Sequence, residues 1–205
     1  MRAVALTISA ATLLVSCAAD VNRVNAYRYY DAGLSLEARG QYEQAREAYW
    51  RSLVNFRSAG GPQEAISAAT YNLGRMTGLT CNLPLAEEFL QEALRLEEKL
   101  PSSAPGNITK RLGELANVSF ALGKYELSVQ YYERAIPMLE QSGIEKDDPI
   151  GYAAYLDGYV GALEKAAMPS KASEIRSRAI ALREAGGTKR AIFVPASFDE
   201  ACRAK

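Results

Sequence analysis

Residues 123–135 read Gly-Lys-Tyr-Glu-Leu-Ser-Val-Gln-Tyr-Tyr-Glu-Arg-Ala, and this stretch recurs in degenerate form three more times. The other copies begin at Gly40, Leu83 and Pro169. Each copy carries one small residue at the same register. These residues are Ala45, Ala86, Ser128 and Ala172, at successive spacings of 41, 42 and 44 residues. A nearly fixed period of this size predicts a repeat array.

A second pattern lies 12 residues upstream of each copy. It combines large and small residues at helical spacing. Its members are Tyr29, Ala32, Gly33 and Leu36; Thr70, Leu73, Gly74 and Thr77; Leu112, Leu115, Ala116 and Ser119; and Leu156, Tyr159, Val160 and Leu163. Together the two patterns predict two antiparallel helices in each repeat, because small residues are needed where helix axes approach closely.

The combined pattern resembles the tetratricopeptide repeat, a helix-turn-helix unit of about 34 residues. The resemblance covers residues 26–185 and implies an all-α, right-handed superhelical solenoid of about four repeats. Because these repeats exceed the family's usual length, we expect extended helices and longer links between repeats. A bend is expected at Pro137. The predicted helices span residues 26–39, 42–57, 62–79, 84–100, 108–122, 125–141, 150–167 and 169–185.

The composition argues against several classes of function. Lys and Arg total 24, and so do Asp and Glu, so the chain lacks the basic field of nucleic-acid-binding proteins. Histidine is absent, which removes Ser-His and Cys-His nucleophiles and histidine metal sites. The sequence therefore predicts no catalytic residue, no metal and no cofactor. One enzymatic alternative stays open, in which the carboxylates of Asp157 and Glu164 perform acid–base hydrolysis.

The N-terminus has the features of an export signal. Residues 3–15 form an uncharged apolar run that suits a signal-peptide core. Residues 14–17, Leu-Val-Ser-Cys, resemble the cleavage box of bacterial lipoproteins. The resemblance implies a signal peptide at 1–16, acylation of Cys17 (palmitate among the acyl chains) and a tether at 17–25. Ala18 after the cysteine favours the periplasmic face of the outer membrane; the alternative is an ordinary secretory signal with an accidental cysteine.

The C-terminal tail, residues 186–205, shows no helical period. Its apolar residues are expected to cap the last repeat, because a solenoid exposes an end face that needs cover; alternatively the tail docks a partner. Cys81 and Cys202 pair in an oxidising compartment only if their Cα atoms come within about 7 Å. The sequence leaves open whether they form a disulfide or stay as two free thiols.

The resemblance also implies a concave groove lined by the first helices of the repeats. The partner-binding positions carried onto this chain are Tyr27, Tyr30, Leu34, Glu37, Tyr71, Asn72, Arg75, Lys110, Glu114, Asn117, Phe120, Asp157 and Glu164. Four of these are aromatic and could form a floor for a peptide. Asn72, Arg75 and Asn117 could hold a carboxylate or a main-chain carbonyl. Some family members grip a C-terminal carboxylate with a lysine early in the first repeat, where this chain has Tyr30.

We therefore expect a lipid-anchored scaffold that binds a protein or peptide partner of the cell envelope. By resemblance, such lipoproteins serve in pilus or secretin assembly, outer-membrane protein assembly, or recruitment of cell-wall enzymes. The alternative is a structural subunit that uses its convex face or its tail in an envelope complex.

Overall fold

All regular structure in residues 2–203 is α-helical. The computed structural model describes the backbone of these residues and the side chains of residues 18–203. The helices are α1 (Arg2–Glu37), α2 (Tyr42–Ser58), α3 (Gln63–Leu79), α4 (Leu83–Glu98), α5 (Pro105–Ala121), α6 (Tyr125–Gln141), α7 (Ile144–Asp147), α8 (Pro149–Lys165), α9 (Pro169–Gly186) and α10 (Phe198–Arg203). The predicted all-α fold class is confirmed.

Four helix pairs form the repeats. The pairs α1–α2, α3–α4, α5–α6 and α8–α9 each pack along their length, and each pair packs on the next through the second helix of one and the first helix of the other. The four small register residues predicted from the period, Ala45, Ala86, Ser128 and Ala172, are all buried. We call α1, α3, α5 and α8 the inner helices, and α2, α4, α6 and α9 the outer helices.

Glycine permits the closest approaches between inner and outer helices. A Cβ added at Gly33 would lie 2.6 Å from the ring of Tyr49, and one at Gly74 would lie 2.9 Å from Cγ of Leu90. Real Cβ atoms do not approach so closely, so both positions exclude any larger residue unless the neighbour moves. The sequence predicted small residues at these crossings for this reason.

Two helices begin with a side-chain cap. The side chain of Asn82 accepts a hydrogen bond from the backbone N–H of Leu85, and that of Asp148 accepts one from Gly151. Helix α6 continues through Pro137 as one element. The link between α6 and α8 contains the short helix α7, which follows Gly143 in a left-handed conformation with φ of 81°. The third repeat is longer than the family's usual unit, and part of its additional length is therefore the helix α7.

Helix α1 begins well before the first repeat, at Arg2. Among its residues 18–37, whose side chains are described, Ala26 is the first that is fully buried, and Val21 and Val24 are each 58 % exposed. The side chain of Cys17 lies outside the described residues, so lipidation there stays a prediction. In the part of the chain with described side chains, no helix combines the length and the apolarity needed to cross a bilayer.

The tail, expected from the sequence to cap the last repeat, contacts that repeat and continues beyond it. After α9 it turns back across the inner helices, with backbone and side-chain contacts to α8, α5 and α3 in turn. It ends in α10, whose Phe198 is fully buried. Polar side chains bond to the tail main chain, and Phe198 packs in the hydrophobic core, so both kinds of contact position the tail.

Candidate functional site

The inner helices face one another and form a groove, which we call the inner groove. Side-chain bonds join successive inner helices: Asn72 donates to the hydroxyl of Tyr30 at 3.0 Å, and Arg75 pairs with both Glu37 and Glu114. Most of the sequence-predicted binding positions therefore meet on one surface. The groove has an open section between α1, α3 and α5, and a covered section where the tail lies on α3, α5 and α8.

The open section surrounds a cavity of about 320 Å³. Leu34 is 45 % exposed at its edge, whereas Tyr71 and Asn72 are mostly buried in its wall. Burial raises the pKa of the Tyr30 phenol. The residues that line this cavity include Tyr30, Leu34, Tyr71, Asn72, Lys110 and Arg111. Glu64 and Glu97 also line the cavity, and Glu97 is paired with Arg111. The cavity thus offers aromatic surface beside charged side chains of both signs.

The predicted aromatic floor is divided in the structure. Tyr30 and Tyr71 line the open section. Tyr27 instead packs edge-on against Phe56 of α2, with ring centroids 4.9 Å apart. Phe120 packs against Tyr125 and lines a second cavity beside the tail. Only two of the four aromatic residues therefore come together.

A buried charge cluster fills the centre of the inner groove. Arg75 lies 2.5 Å from a carboxylate oxygen of Glu37 and 2.9 Å from one of Glu114. Glu114 is fully buried, and burial raises the pKa of its carboxyl although Arg75 favours the charged form. The guanidinium of Arg75 is thus occupied by its own chain, so its predicted role in holding a partner's carboxylate does not fit this geometry.

A second buried cluster, which the sequence reasoning missed, supports the open section. Arg111 donates to Ser67 at 2.9 Å, pairs with Glu97 at 2.8 Å, and lies over the ring of Tyr71 at 4.9 Å. Burial lowers the pKa of Arg111.

The charge cluster around Arg75 has a periodic signal in the sequence. Glu37 and Glu114 lie 38 and 39 residues from Arg75, so opposite charges recur about one repeat apart.

In the covered section, three inner-helix side chains bind the main chain of the tail. Asn117 donates to the carbonyl of Ala196 at 2.8 Å, and Glu114 accepts from the N–H of Ala196 at 3.1 Å. One oxygen of Asp148 accepts from the N–H groups of Ile192 and Phe193, at 3.0 and 3.2 Å. The Asn117 amide therefore holds a main-chain carbonyl, and that carbonyl belongs to this chain.

The carboxylates considered for hydrolysis belong to separate ion pairs. Asp157 pairs with Arg183, and Glu164 pairs with Arg176, both on α9. No cluster of three potential metal-ligating side chains occurs among the residues whose side chains are described. These residues thus make inter-helix contacts on exposed surface, with Asp157 also at the edge of the cavity beside the tail.

Cys81 and Cys202 form a disulfide in the structure, with Cα atoms 5.5 Å apart. Cys81 follows the end of α3, and Cys202 lies in α10. The bond spans 121 residues of sequence and joins the end of the tail to the second repeat. The tail is consequently fixed at both ends, by α9 on one side and by this disulfide on the other.

No protein-family model and no curated protein matches the sequence. Solved structures do match. BtubC (BKLC) from P. vanneervenii has a TM-score of 0.72 and 17% identity, over 83% of this chain and 68% of that chain. Nearly identical TPR-like repeats of kinesin light chain type from Podosopora anserina give 0.62 and 17% identity, over 80% and 77%.

Aspartyl phosphate phosphatase F from Bacillus subtilis is also similar in fold. Its TM-score is 0.69 and its identity 15%, over 82% of this chain but only 42% of that chain. This chain therefore spans less than half of the length of that protein. At these identities the likeness shows the fold, and the fold is a tetratricopeptide-type helical repeat.

Proposed function

We propose that this protein is a non-catalytic scaffold that binds a partner polypeptide in its inner groove. The observation that supports this most directly is the tail itself. The groove holds an extended segment through main-chain hydrogen bonds, which is the type of contact that a peptide ligand would make. The open section beside it provides a further cavity, lined by Tyr30 and Tyr71 and by charged side chains of both signs.

The proposal includes the cellular setting predicted from the sequence. Acylation at Cys17 would anchor the chain to the periplasmic face of the outer membrane, since several acyl chains on one residue give stable anchoring. There it would concentrate its partner during assembly of an envelope complex. Residues 18–25 of α1, which carry exposed side chains such as Val21 and Val24, would hold the repeats away from the membrane surface.

Site-specific photo-crosslinking tests the groove. A photoreactive residue replacing Leu34, exposed at the open section, should crosslink to an envelope protein in intact cells. The matched control places the same residue at Val54, which is 42 % exposed on the outer helix α2. Crosslinks from position 34 alone support the proposal. Crosslinks from position 54 alone would contradict it and favour a structural subunit that uses its outer surface.

The membrane anchor has its own test. Replacing Cys17 by Ser should abolish incorporation of labelled palmitate, because serine lacks the thiol, and mass spectrometry of the wild type should find an acylated cysteine at the mature N-terminus. A wild-type chain that is soluble, or that starts at another residue, would exclude the anchor without excluding the groove.

A charge reversal at Arg75 is unsuitable as a binding test. The substituted carboxylate would join Glu37 and Glu114 in a mostly buried cluster. Loss of binding would then report loss of folding, because an unpaired buried charge is strongly destabilising.

A further inference from the structure

The tail lies in the inner groove as an extended segment with alternating side chains. Ile192 is 79 % exposed and Val194 is 51 % exposed, whereas Phe193 is half-buried and Pro195 is buried. This alternation is expected of an extended chain on a surface, since successive side chains point to opposite sides. The segment therefore has an outer row, Ile192 and Val194, and an inner row that contacts the groove, Phe193 and Pro195.

The hydrogen bonds between the groove and residues 192–196 involve main-chain atoms of the tail and not its side chains. Asp148 and Glu114 accept three hydrogen bonds from main-chain N–H groups of residues 192–196, and Asn117 donates one to a main-chain carbonyl. Any extended polypeptide, other than one with proline at a donor position, could make the same bonds. The groove side chains therefore fit a main chain, and selectivity must come from the residues that face inward.

Three inward-facing residues occupy recognisable subsites. The ammonium of Lys110 lies 5.5 Å from the ring centroid of Phe193. Glycines provide the other two subsites: a Cβ at Gly113 would lie 3.2 Å from Cγ of Pro195, and one at Gly78 would lie 2.6 Å from the ring of Phe198. The inner helices thus have no side chain at the two points where proline and phenylalanine enter.

We propose that residues 192–198 are a tethered ligand of the inner groove, and that the partner enters by presenting an extended segment of the same kind. The expected sequence motif of the partner is an aromatic residue, a proline two positions later and a second aromatic residue three positions after the proline. This inference rests on the proposed function of the groove, and it adds the chemistry of the partner and the condition for its entry.

Two tethers favour the chain's own tail over a partner. Residues 187–190 connect the tail to α9, and the disulfide Cys81–Cys202 connects its other end to α3. A tethered ligand has a high effective concentration, in the millimolar range for short flexible links. An external dithiol would open the second tether by thiol–disulfide exchange: two electrons pass to the Cys81–Cys202 bond, both cysteines become thiols, and the dithiol becomes a disulfide.

The test uses the full chain with a specific protease site placed in the exposed link at residues 187–190. Cleavage leaves the tail held by the disulfide alone, and subsequent dithiothreitol releases it. The probe is a fluorescent peptide of residues 190–203 that carries Cys202→Ser. We expect the peptide to bind the cleaved and reduced protein, to bind uncleaved reduced protein at least about tenfold more weakly, and to leave cleaved oxidised protein unbound.

Matched variants test the subsites. A peptide with Phe198→Ala should bind at least about tenfold more weakly, because a buried aromatic side chain is lost. Lys110→Ala in the protein should weaken binding about threefold through the lost cation–π contact. Lys99→Ala, an exposed lysine at the end of α4, should leave binding unchanged.

Circular dichroism decides whether the tail is a ligand or a part of the fold. The proposal is overturned if the helical signal collapses on tail release, or if the folded protein binds neither peptide. If the peptide fails while position 34 still crosslinks in cells, only the tethered-ligand inference is lost. If the peptide binds while no crosslink forms at position 34, the groove inference stands and the proposed cellular function is wrong.

Discussion

One small residue lies at the same point of every repeat, between an inner and an outer helix. It is alanine in three repeats and Ser128 in the third, and all four are buried. The hydroxyl of Ser128 is buried without a hydrogen-bond partner. Size is therefore the property that the position requires, and the hydroxyl is an unfavourable addition because a buried polar group without a partner costs free energy.

Replacing Ser128 by Ala should raise the free energy of unfolding by about 1 kcal/mol, because it removes an unsatisfied hydroxyl and keeps the close packing. Urea unfolding followed by circular dichroism measures this. The matched control is Ser67→Ala, since Ser67 donates to Glu97 at 2.8 Å and accepts from Arg111 at 2.9 Å. That variant should lose about 1–3 kcal/mol. Equal effects of the two changes would contradict this account.

Arg75 is the cation paired with the fully buried carboxylate of Glu114. Arg75→Met leaves the fully buried Glu114 without its cation and should cost about 3–5 kcal/mol in unfolding free energy. Arg57→Met is the control, because its pair with Glu92 is much more exposed and such pairs contribute less than about 1 kcal/mol. Adding Glu114→Gln to Arg75→Met should restore part of the loss. A double variant less stable than the single one would show that charge is not the cause.

At the scale of elements, the repeat pattern predicts the eight long helices because each has a stripe of large and small residues that packs against a neighbouring helix. The two short helices, α7 and α10, have four and six residues and are too short to show a period. Helix α10 forms where Phe198 is buried next to Gly78, a contact between residues 120 positions apart. Tertiary packing rather than local sequence determines such an element.

The crossing of α1 and α2 gives an element-scale prediction. Gly33→Ala should destabilise the protein by about 1–3 kcal/mol, because the new methyl group would lie 2.6 Å from the buried ring of Tyr49. Gly106→Ala, in the first turn of α5 with no atom within 4 Å, should be neutral or stabilising by up to about 1 kcal/mol. Thermal unfolding of both variants compares them directly. A stable Gly33→Ala protein would mean that the helices can separate at this crossing.

At the scale of the whole molecule, the sequence predicts where a groove forms but not what fills it. Inner-helix positions such as Tyr30, Tyr71 and Asn117 follow from the repeat register. Asp148 reads locally as a helix cap, and only the tertiary structure shows that its second oxygen binds the tail 44 residues away. The path of the tail depends on several such long-range contacts, none of which is periodic. The repeat register therefore predicts the groove, but it does not predict that the tail lies in it.

Buried tyrosines make the stability of the whole array depend on pH. Eight tyrosines have a pKa raised by burial, namely Tyr30, Tyr49, Tyr71, Tyr131, Tyr132, Tyr152, Tyr155 and Tyr159. A group whose pKa is higher in the folded state stabilises the fold below its unfolded pKa, about 10 for tyrosine. That stability is lost as the pH rises further, because the unfolded chain releases protons that the folded chain retains.

The unfolding free energy should therefore fall steeply above pH 10, by about 1.4 kcal/mol per pH unit for each tyrosine that stays protonated in the fold. Urea titrations at pH 8, 10 and 11 measure the slope. Tyr155→Phe should reduce that slope by one such contribution, and should cost nothing at pH 8 because the Tyr155 hydroxyl is buried without a partner. Tyrosinate absorbance gives an independent readout, with a late step that coincides with loss of helix. Ionisation of all 12 tyrosines before any loss of helix would contradict this role of the buried rings.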